Sequence, residues 1–143
     1  RILTFIMKNP FHLAIPVNNL IKAAHFYENI LGCVRGRSSN SWVDFNLFGH
    51  QVVCHEVKAQ DRLKMKPVDG DDIPVPHFGV ILNFDEFDEL VEKLQKSSYQ
   101  FFIEPKIRFA GKKGEQRIMF LKDPSGNALE FKAFKSLDQL FES

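Results

Sequence analysis

The chain repeats a pattern, and that repetition sets what it can become. FHLAIPV, at Phe11 to Val17, and PHFGVIL, at Pro76 to Leu82, are short apolar runs in which a histidine stands near the start and a small residue follows two positions later, Ala14 and Gly79. Each is followed by a segment of helical periodicity and then by three more strand-like runs. A duplicated strand, helix and three strands gives an α+β architecture of two βαβββ modules.

In the first copy, Phe11, Leu13, Ile15 and Val17 fall on one face of a strand, and His12 and Ala14 on the other. Asn18 or Asn19 then caps a helix whose Leu20, Ala23, Ala24, Tyr27 and Leu31 recur at helical spacing, with Gly32 as its stop. A weaker strand around Cys33 to Arg37 precedes SWVDFNLFG and HQVVCHEVK, two runs that meet at Gly49 and His50.

The second copy opens with Phe78, Val80, Leu82 and Phe84 on one strand face and His77 and Gly79 on the other. Its helix carries Phe87, Leu90, Val91 and Leu94, with Asp85 as the expected cap. Strands are expected at QFFIEP, RIMFLKD and ALEFKAF, the last two joined by the turn DPSGN. This predicts one domain over 1–143, with module 1 at about 11–60, a linker rich in Pro, Gly and Asp at about 61–75, and module 2 at about 76–136. MKNPFHLAIPV reads as a natural start, which makes the residues before Met7 an extended or added leader.

Composition narrows the class of partner. The 19 basic and 18 acidic residues nearly cancel, and no Lys/Arg stripe supports nucleic-acid binding. No apolar run approaches the roughly 20 residues that span a bilayer. The cysteines, Cys33 and Cys54, show no paired spacing, so both are read as reduced thiols in a cytoplasmic protein that acts on a small molecule. GxSxG, HExxH and GxGxxG are absent, which leaves serine hydrolysis, zincin chemistry and dinucleotide binding without footing.

The chemistry-bearing residues lie on the repeated strands. His12 and His77 match between the copies, and Glu130 sits in an apolar run where a carboxylate is expensive to bury without a partner. Two imidazoles and one carboxylate fill one face of an octahedral ion and leave the other positions open for substrate, oxygen or water. Singly, each residue has a plainer reading, as a hydrogen-bonded histidine or a Glu130 paired with Lys132 or Lys122. Spacing matches His55 to Glu130 if the loop through Gly111 and Gly114 is an insertion. His55 is then a fourth ligand, a general base or a structural histidine, while Glu56 points to the opposite face. His25 reads as helix packing or surface, and His50 as a turn residue. Arg35, Arg37, Arg108 and Lys132 are candidates for an anionic group, and some of the 15 Phe for the lining of an apolar pocket suited to a ring.

FHLAIPV with FYENILG, PHFGVIL, and above all the closing DPSGNALEF resemble the vicinal oxygen chelate superfamily, which groups glyoxalase, bleomycin-resistance and extradiol-dioxygenase proteins. The likeness runs from about Phe11 to Phe134. It implies paired βαβββ modules forming a curled mixed sheet around a metal-containing cavity, with His12, His77 and Glu130 as ligands and a homodimer as the expected assembly. Glyoxalase I enzymes usually hold a glutamate at the fourth position, which in this chain holds His55.

The resemblance implies three activities. The first is an extradiol-type dioxygenase, with Fe(II) favoured as the metal, a vicinal diol or enediolate as substrate, and O2. The second is a glyoxalase-I-like lyase or isomerase with Ni(II) or Zn(II), or a fosfomycin-resistance-like thiol transferase with Mn(II). The third is a non-enzymatic antibiotic-binding protein of the bleomycin-resistance type, against which the three ligands argue.

Overall fold

The computed structural model describes residues 8–58 and 64–142. The leader suggested before Met7 and residues 61–63 of the expected linker lie outside them. Two units divide the chain: the first takes 1–62 and the turn 123–127, the second 63–122 and 128–143.

In the first unit, β1 (His12–Val17), β2 (Val34–Ser38), β3 (Trp42–Leu47) and β4 (His50–Glu56) form a mixed sheet in the order β1-β4-β3-β2. β1 runs parallel to β4, and the other pairs are antiparallel. Ile15 and Val17 turn inward as the alternation requires, whereas Phe11, expected on that face, is exposed just ahead of β1. The β3–β4 hairpin turns through Phe48 and Gly49, both at positive φ, the signature of a tight two-residue connection. Phe48 tolerates this backbone because its ring is buried.

Helix α1 (Leu20–Ala24) is capped by Asn19, whose side chain accepts the Lys22 N–H. The helix then widens over His25–Ile30, where the Leu31 N–H reaches back five residues to the Phe26 carbonyl at 2.8 Å. Both rings of this segment, Phe26 and Tyr27, are buried. Tyr27 stacks on Phe45, and Phe26 meets Tyr27 edge-on. The chain leaves the helix through Gly32 at φ +88°. Glu56 faces away from the histidine side, as alternation predicts, and accepts the Leu20 N–H at the start of α1.

The DPSGN turn closes this unit. Asp123 Oδ1 accepts the N–H groups of Ser125 and Asn127, and Asp123 Oδ2 accepts the Asn127 amide and the Tyr27 hydroxyl. Ser125 and Asn127 in turn reach the Asn18 N–H and the Pro16 carbonyl. The turn is therefore a polar clasp that seats a tyrosine, as well as a link to the last strand.

In the second unit, residues expected as linker instead form a hairpin, β5 (Lys64–Val68) with β6 (Asp71–Val75). After it, β7 (Ile81–Leu82), β8 (Ile103–Arg108), β9 (Gln116–Lys122) and β10 (Ala128–Ala133) form a mixed sheet in the order β7-β10-β9-β8. Each module thus has its own four-stranded mixed sheet, the βαβββ arrangement. The expected opening strand is regular only at Ile81–Leu82, but Phe78 already bridges Leu129 and accepts the Glu130 N–H at 2.8 Å. Helix α2 (Phe84–Lys96) is capped by Asn83 rather than Asp85: Asn83 and Glu86 exchange side-chain and backbone bonds in a capping box. That exchange makes Phe84 the first helical residue, not the end of the strand. Lys106 and Arg108 of β8 both bind Asp71 of the hairpin, and Arg108 also donates to the Val68 carbonyl.

Candidate metal centre

His77 stands just after the β5–β6 hairpin, half-buried, with its ring edge-on to Phe120 of β9 at 5.0 Å. Its Nδ1 lies 2.7 Å from the Pro74 carbonyl oxygen, which only accepts, so the Nδ1 hydrogen is committed there. Its Nε2 then faces Glu130 Oε1 at 3.1 Å. The Glu130 bond, helped by the Pro74 carbonyl, raises the His77 pKa against the opposing effects of burial and Lys132. Two lone pairs do not meet at this distance without a proton or a cation between them. A shared proton would fill that role, and a metal ion would call for the same orientation.

Gly79 explains how Glu130 comes so near. Any Cβ at residue 79 would overlap the Glu130 carbonyl oxygen, so only glycine lets these backbones run side by side. The small residue two places after His77 is therefore a packing requirement of the site.

The first unit repeats half of this arrangement. His12 is exposed on β1, with its Nδ1 2.7 Å from Gln51 Oε1 on the parallel neighbour β4. The Gln51 amide donates to Asp44 Oδ2 on β3, and Asp44 Oδ1 accepts the Arg37 N–H. Gly36 leaves room for that carboxylate, since a Cβ there would run into Asp44 Oδ1.

Strand register corrects one correspondence drawn from spacing. β7 and β10 pair with Phe78 opposite Leu129, which puts Gly79 opposite Glu130. β1 and β4 pair with His12 opposite Gln51 and Ala14 opposite Val53. Counting from each histidine, the counterpart of Glu130 is Val53, not His55. His55 lies two residues further along the same face of β4, exposed, opposite Trp42 and Pro16. Spacing missed this because insertions are visible in a sequence only as totals, whereas register is set by which strands pair.

Other candidates are engaged elsewhere. His50 accepts the Phe11 N–H, Arg35 pairs with Glu28, and buried Arg108 pairs with Asp71. His25 is exposed on the widened helix. Cys33 and Cys54 are buried and in no disulfide. Among the described residues, no group of three or more His, Cys, Asp or Glu side chains gathers as a metal site, and no helix is long and apolar enough to cross a membrane. The pair the structure brings together is His77 with Glu130. Gln51, Asp44 and the Pro74 carbonyl were not singled out from sequence, although Asp44 carried the same signal as Glu130, a carboxylate inside an apolar strand.

The family model of the glyoxalase/bleomycin resistance protein/dioxygenase superfamily matches residues 10–131. The chain belongs to this superfamily. Its members bind small molecules, typically depend on a divalent metal and often dimerise; they include dioxygenases, lyases, transferases and some non-enzymatic proteins. A search of curated proteins finds no significant match. Among solved structures, a glyoxalase/bleomycin resistance protein/dioxygenase from Alicyclobacillus acidocaldarius is 33% identical, with a TM-score of 0.81 over 94% of this chain and 97% of that one. The fosfomycin resistance protein FosX of Listeria monocytogenes is 18% identical, with a TM-score of 0.66 over 94% and 98%. A virulence protein of Salmonella typhimurium is also 18% identical, with a TM-score of 0.60 over 91% and 99%. The latter two share the superfamily fold with this chain.

Proposed function

We propose that this superfamily member is a divalent-metal-dependent enzyme acting on a small molecule with adjacent oxygens, with His12, His77 and Glu130 as the metal ligands. The observation that carries the reading is the His77–Glu130 pair, in which Pro74 orients the imidazole and Gly79 admits the carboxylate. Two imidazoles and a carboxylate suit Fe(II), Mn(II), Ni(II) or Zn(II). When bound, such an ion supplies Lewis acidity that lowers the pKa of a coordinated hydroxyl.

The chain's residues account for the rest. Pro74 holds the His77 ring against rotation, and Glu130 supplies negative charge in a largely buried setting. Val53, at the place equivalent to Glu130, offers no fourth carboxylate, which favours a three-ligand site over a glyoxalase-I-like shell. His55, exposed on the same strand face, is the proposed proton acceptor for a substrate hydroxyl.

Extradiol-type oxygenation with Fe(II), on a vicinal diol or enediolate, is the first reading. The second is fosfomycin-resistance chemistry, favoured by the shared fold of a protein of that name across nearly the whole chain. Metal-free protein reconstituted separately with Fe(II), Mn(II), Ni(II) and Zn(II) separates the two. Oxygen uptake on catechols with Fe(II) alone supports the dioxygenase; consumption of fosfomycin with Mn(II) supports the second reading. Equal metal content in wild type, His12→Ala, His77→Ala and Glu130→Ala would refute the ligand assignment. We further propose a homodimer in the cytoplasm; sedimentation tests the assembly and fractionation the location.

A further inference from the structure

We propose that Asp44 and Gln51 are positioning residues that set the tautomer of His12, placing its hydrogen on Nδ1 and leaving the lone pair on Nε2. The inference rests on His12 being a ligand, as proposed above, but the tautomer itself follows from a chain of hydrogen bonds within the first unit.

The relay begins at a backbone N–H, which can only donate. The Arg37 N–H, 2.6 Å from Asp44 Oδ1, fixes that oxygen as an acceptor. A carboxylate has no hydrogen to offer, so Asp44 Oδ2, 2.9 Å from the Gln51 side chain, must meet the NH2 end of the amide. This settles which way round the Gln51 amide lies. Its remaining group toward β1 is the carbonyl Oε1, 2.7 Å from His12 Nδ1. An amide oxygen is only an acceptor, so a neutral His12 must carry its hydrogen on Nδ1. Nε2 then bears the lone pair.

The relay is held firmly at its buried end. Asp44 is buried on a central strand, with Gly36 against its carboxylate, while His12 is exposed. An exposed imidazole free of such a partner would interchange tautomers, and only one of them presents Nε2 to a cation. Outer partners of this kind typically contribute 10- to 100-fold to metal affinity.

A single isosteric change should invert the tautomer. In Asp44→Asn, the Arg37 N–H still requires an oxygen, so the new amide places its NH2 toward Gln51. Gln51 must then turn its oxygen to that NH2 and its own NH2 to His12, whose Nδ1 becomes an acceptor and whose hydrogen moves to Nε2. Adding Gln51→Glu restores an acceptor beside His12, and the double variant returns to the Nδ1–H form.

The test is nitrogen NMR of the imidazoles in the full chain, freed of metal by a chelator and held at about pH 8, above the ordinary imidazole pKa of about 6.5. Expected are Nδ1–H for His12 in wild type, Nε2–H in D44N and Nδ1–H again in D44N/Q51E, with Mn(II) affinity 10- to 100-fold weaker in D44N than in the other two. Nε2–H in wild type, or one tautomer in all three proteins, overturns the relay. Should D44N fail to fold, Gln51→Leu serves: a mixture of tautomers supports the relay, and an unchanged Nδ1–H form overturns it. A wild type that shows Nδ1–H but binds no metal sinks the functional reading while leaving the relay established.

Discussion

The two histidine strands are built alike and finished differently. In the second unit the carboxylate is on the last strand, Glu130, and meets Nε2 of His77 directly, while β9 offers an aromatic ring, Phe120, opposite it. In the first unit the last strand offers Val53, and the carboxylate has moved to the strand opposite, Asp44, which reaches Nδ1 of His12 through Gln51. Each copy thus surrounds its histidine with one buried carboxylate, on opposite sides of the ring. A carboxylate at Nε2 shares in binding a cation, whereas one acting through Nδ1 only orients. The two copies thus share a frame, and under the proposed ligand assignment they divide the task between binding and orienting.

The largest test of that contrast exchanges loss in one copy for loss in the other. Glu130→Ala should lower Mn(II) affinity by more than the roughly 100-fold ceiling for outer partners, and Val53→Ala, at the equivalent register, should leave it within about twofold. Titration calorimetry on metal-free protein measures both. Comparable losses would mean that the two strands are not divided as described.

Next in size is the packing beside each carboxylate position. Gly79→Ala forces a methyl group into the Glu130 carbonyl, so overpacking of about 1–3 kcal/mol or more is expected, with loss of the His77–Glu130 alignment. Ala14 already tolerates a methyl opposite Val53, and Ala14→Gly should cost no more than about 1 kcal/mol. Urea melts of both variants decide whether the close approach belongs to the second unit alone.

What was legible in the sequence follows from what each feature depends on. Alternation and helical spacing depend on near neighbours, so β1, β3, β4, β9 and β10 were readable, as was the direction of Glu56. Both histidines were visible because the copies align without gaps near their start. The Asn83 cap was missed because Asp85 also suits a helix start, and only the reciprocal bond with Glu86 distinguishes them. The partner of His12 was not readable at all. Gln51 lies across a parallel pairing that no local pattern reveals, and the shift from His55 to Val53 has the same origin.

The core of the first unit adds a further contrast, since two of its buried ionisable groups, Tyr27 and Cys54, are pushed away from their ordinary values. Burial, then Asp123, pushes the Cys54 thiol from 9.0 up to about 12, and the same causes hold the Tyr27 phenol well above its ordinary value. The unfolded chain releases these protons at lower pH than the fold does. Their contribution is therefore full below about pH 9 and lost as pH rises toward 12. Cys54→Ala should flatten the alkaline limb by up to about 1.4 kcal/mol per pH unit. Tyr27→Phe should destabilise by about 1.5–3 kcal/mol at neutral pH, since Asp123 loses a buried donor. The single tryptophan, Trp42, lies on β3 of this unit, so its fluorescence reports alkaline loss there; an unchanged slope in Cys54→Ala would exclude the thiol.

The smallest effect tests the equivalence of the two registers most directly. If Val53 truly holds the place of Glu130, then Val53→Glu should bring a carboxylate to Nε2 of His12, as Glu130 comes to His77. Raw stability would obscure this, because a new carboxylate at a buried position also meets Asp44 directly across the sheet. A double-mutant cycle removes that burden: the repulsion from Asp44 and the desolvation of the introduced carboxylate are present with or without the imidazole, and they cancel when Val53→Glu is compared in wild type and in His12→Ala. What remains is the pairing with His12, expected at roughly 0.5–1.5 kcal/mol for a partly exposed contact. Coupling near zero would mean that the Gln51 relay turns the His12 ring away from β4 residue 53, and that the copies share a strand register without sharing a direction of approach to the ring.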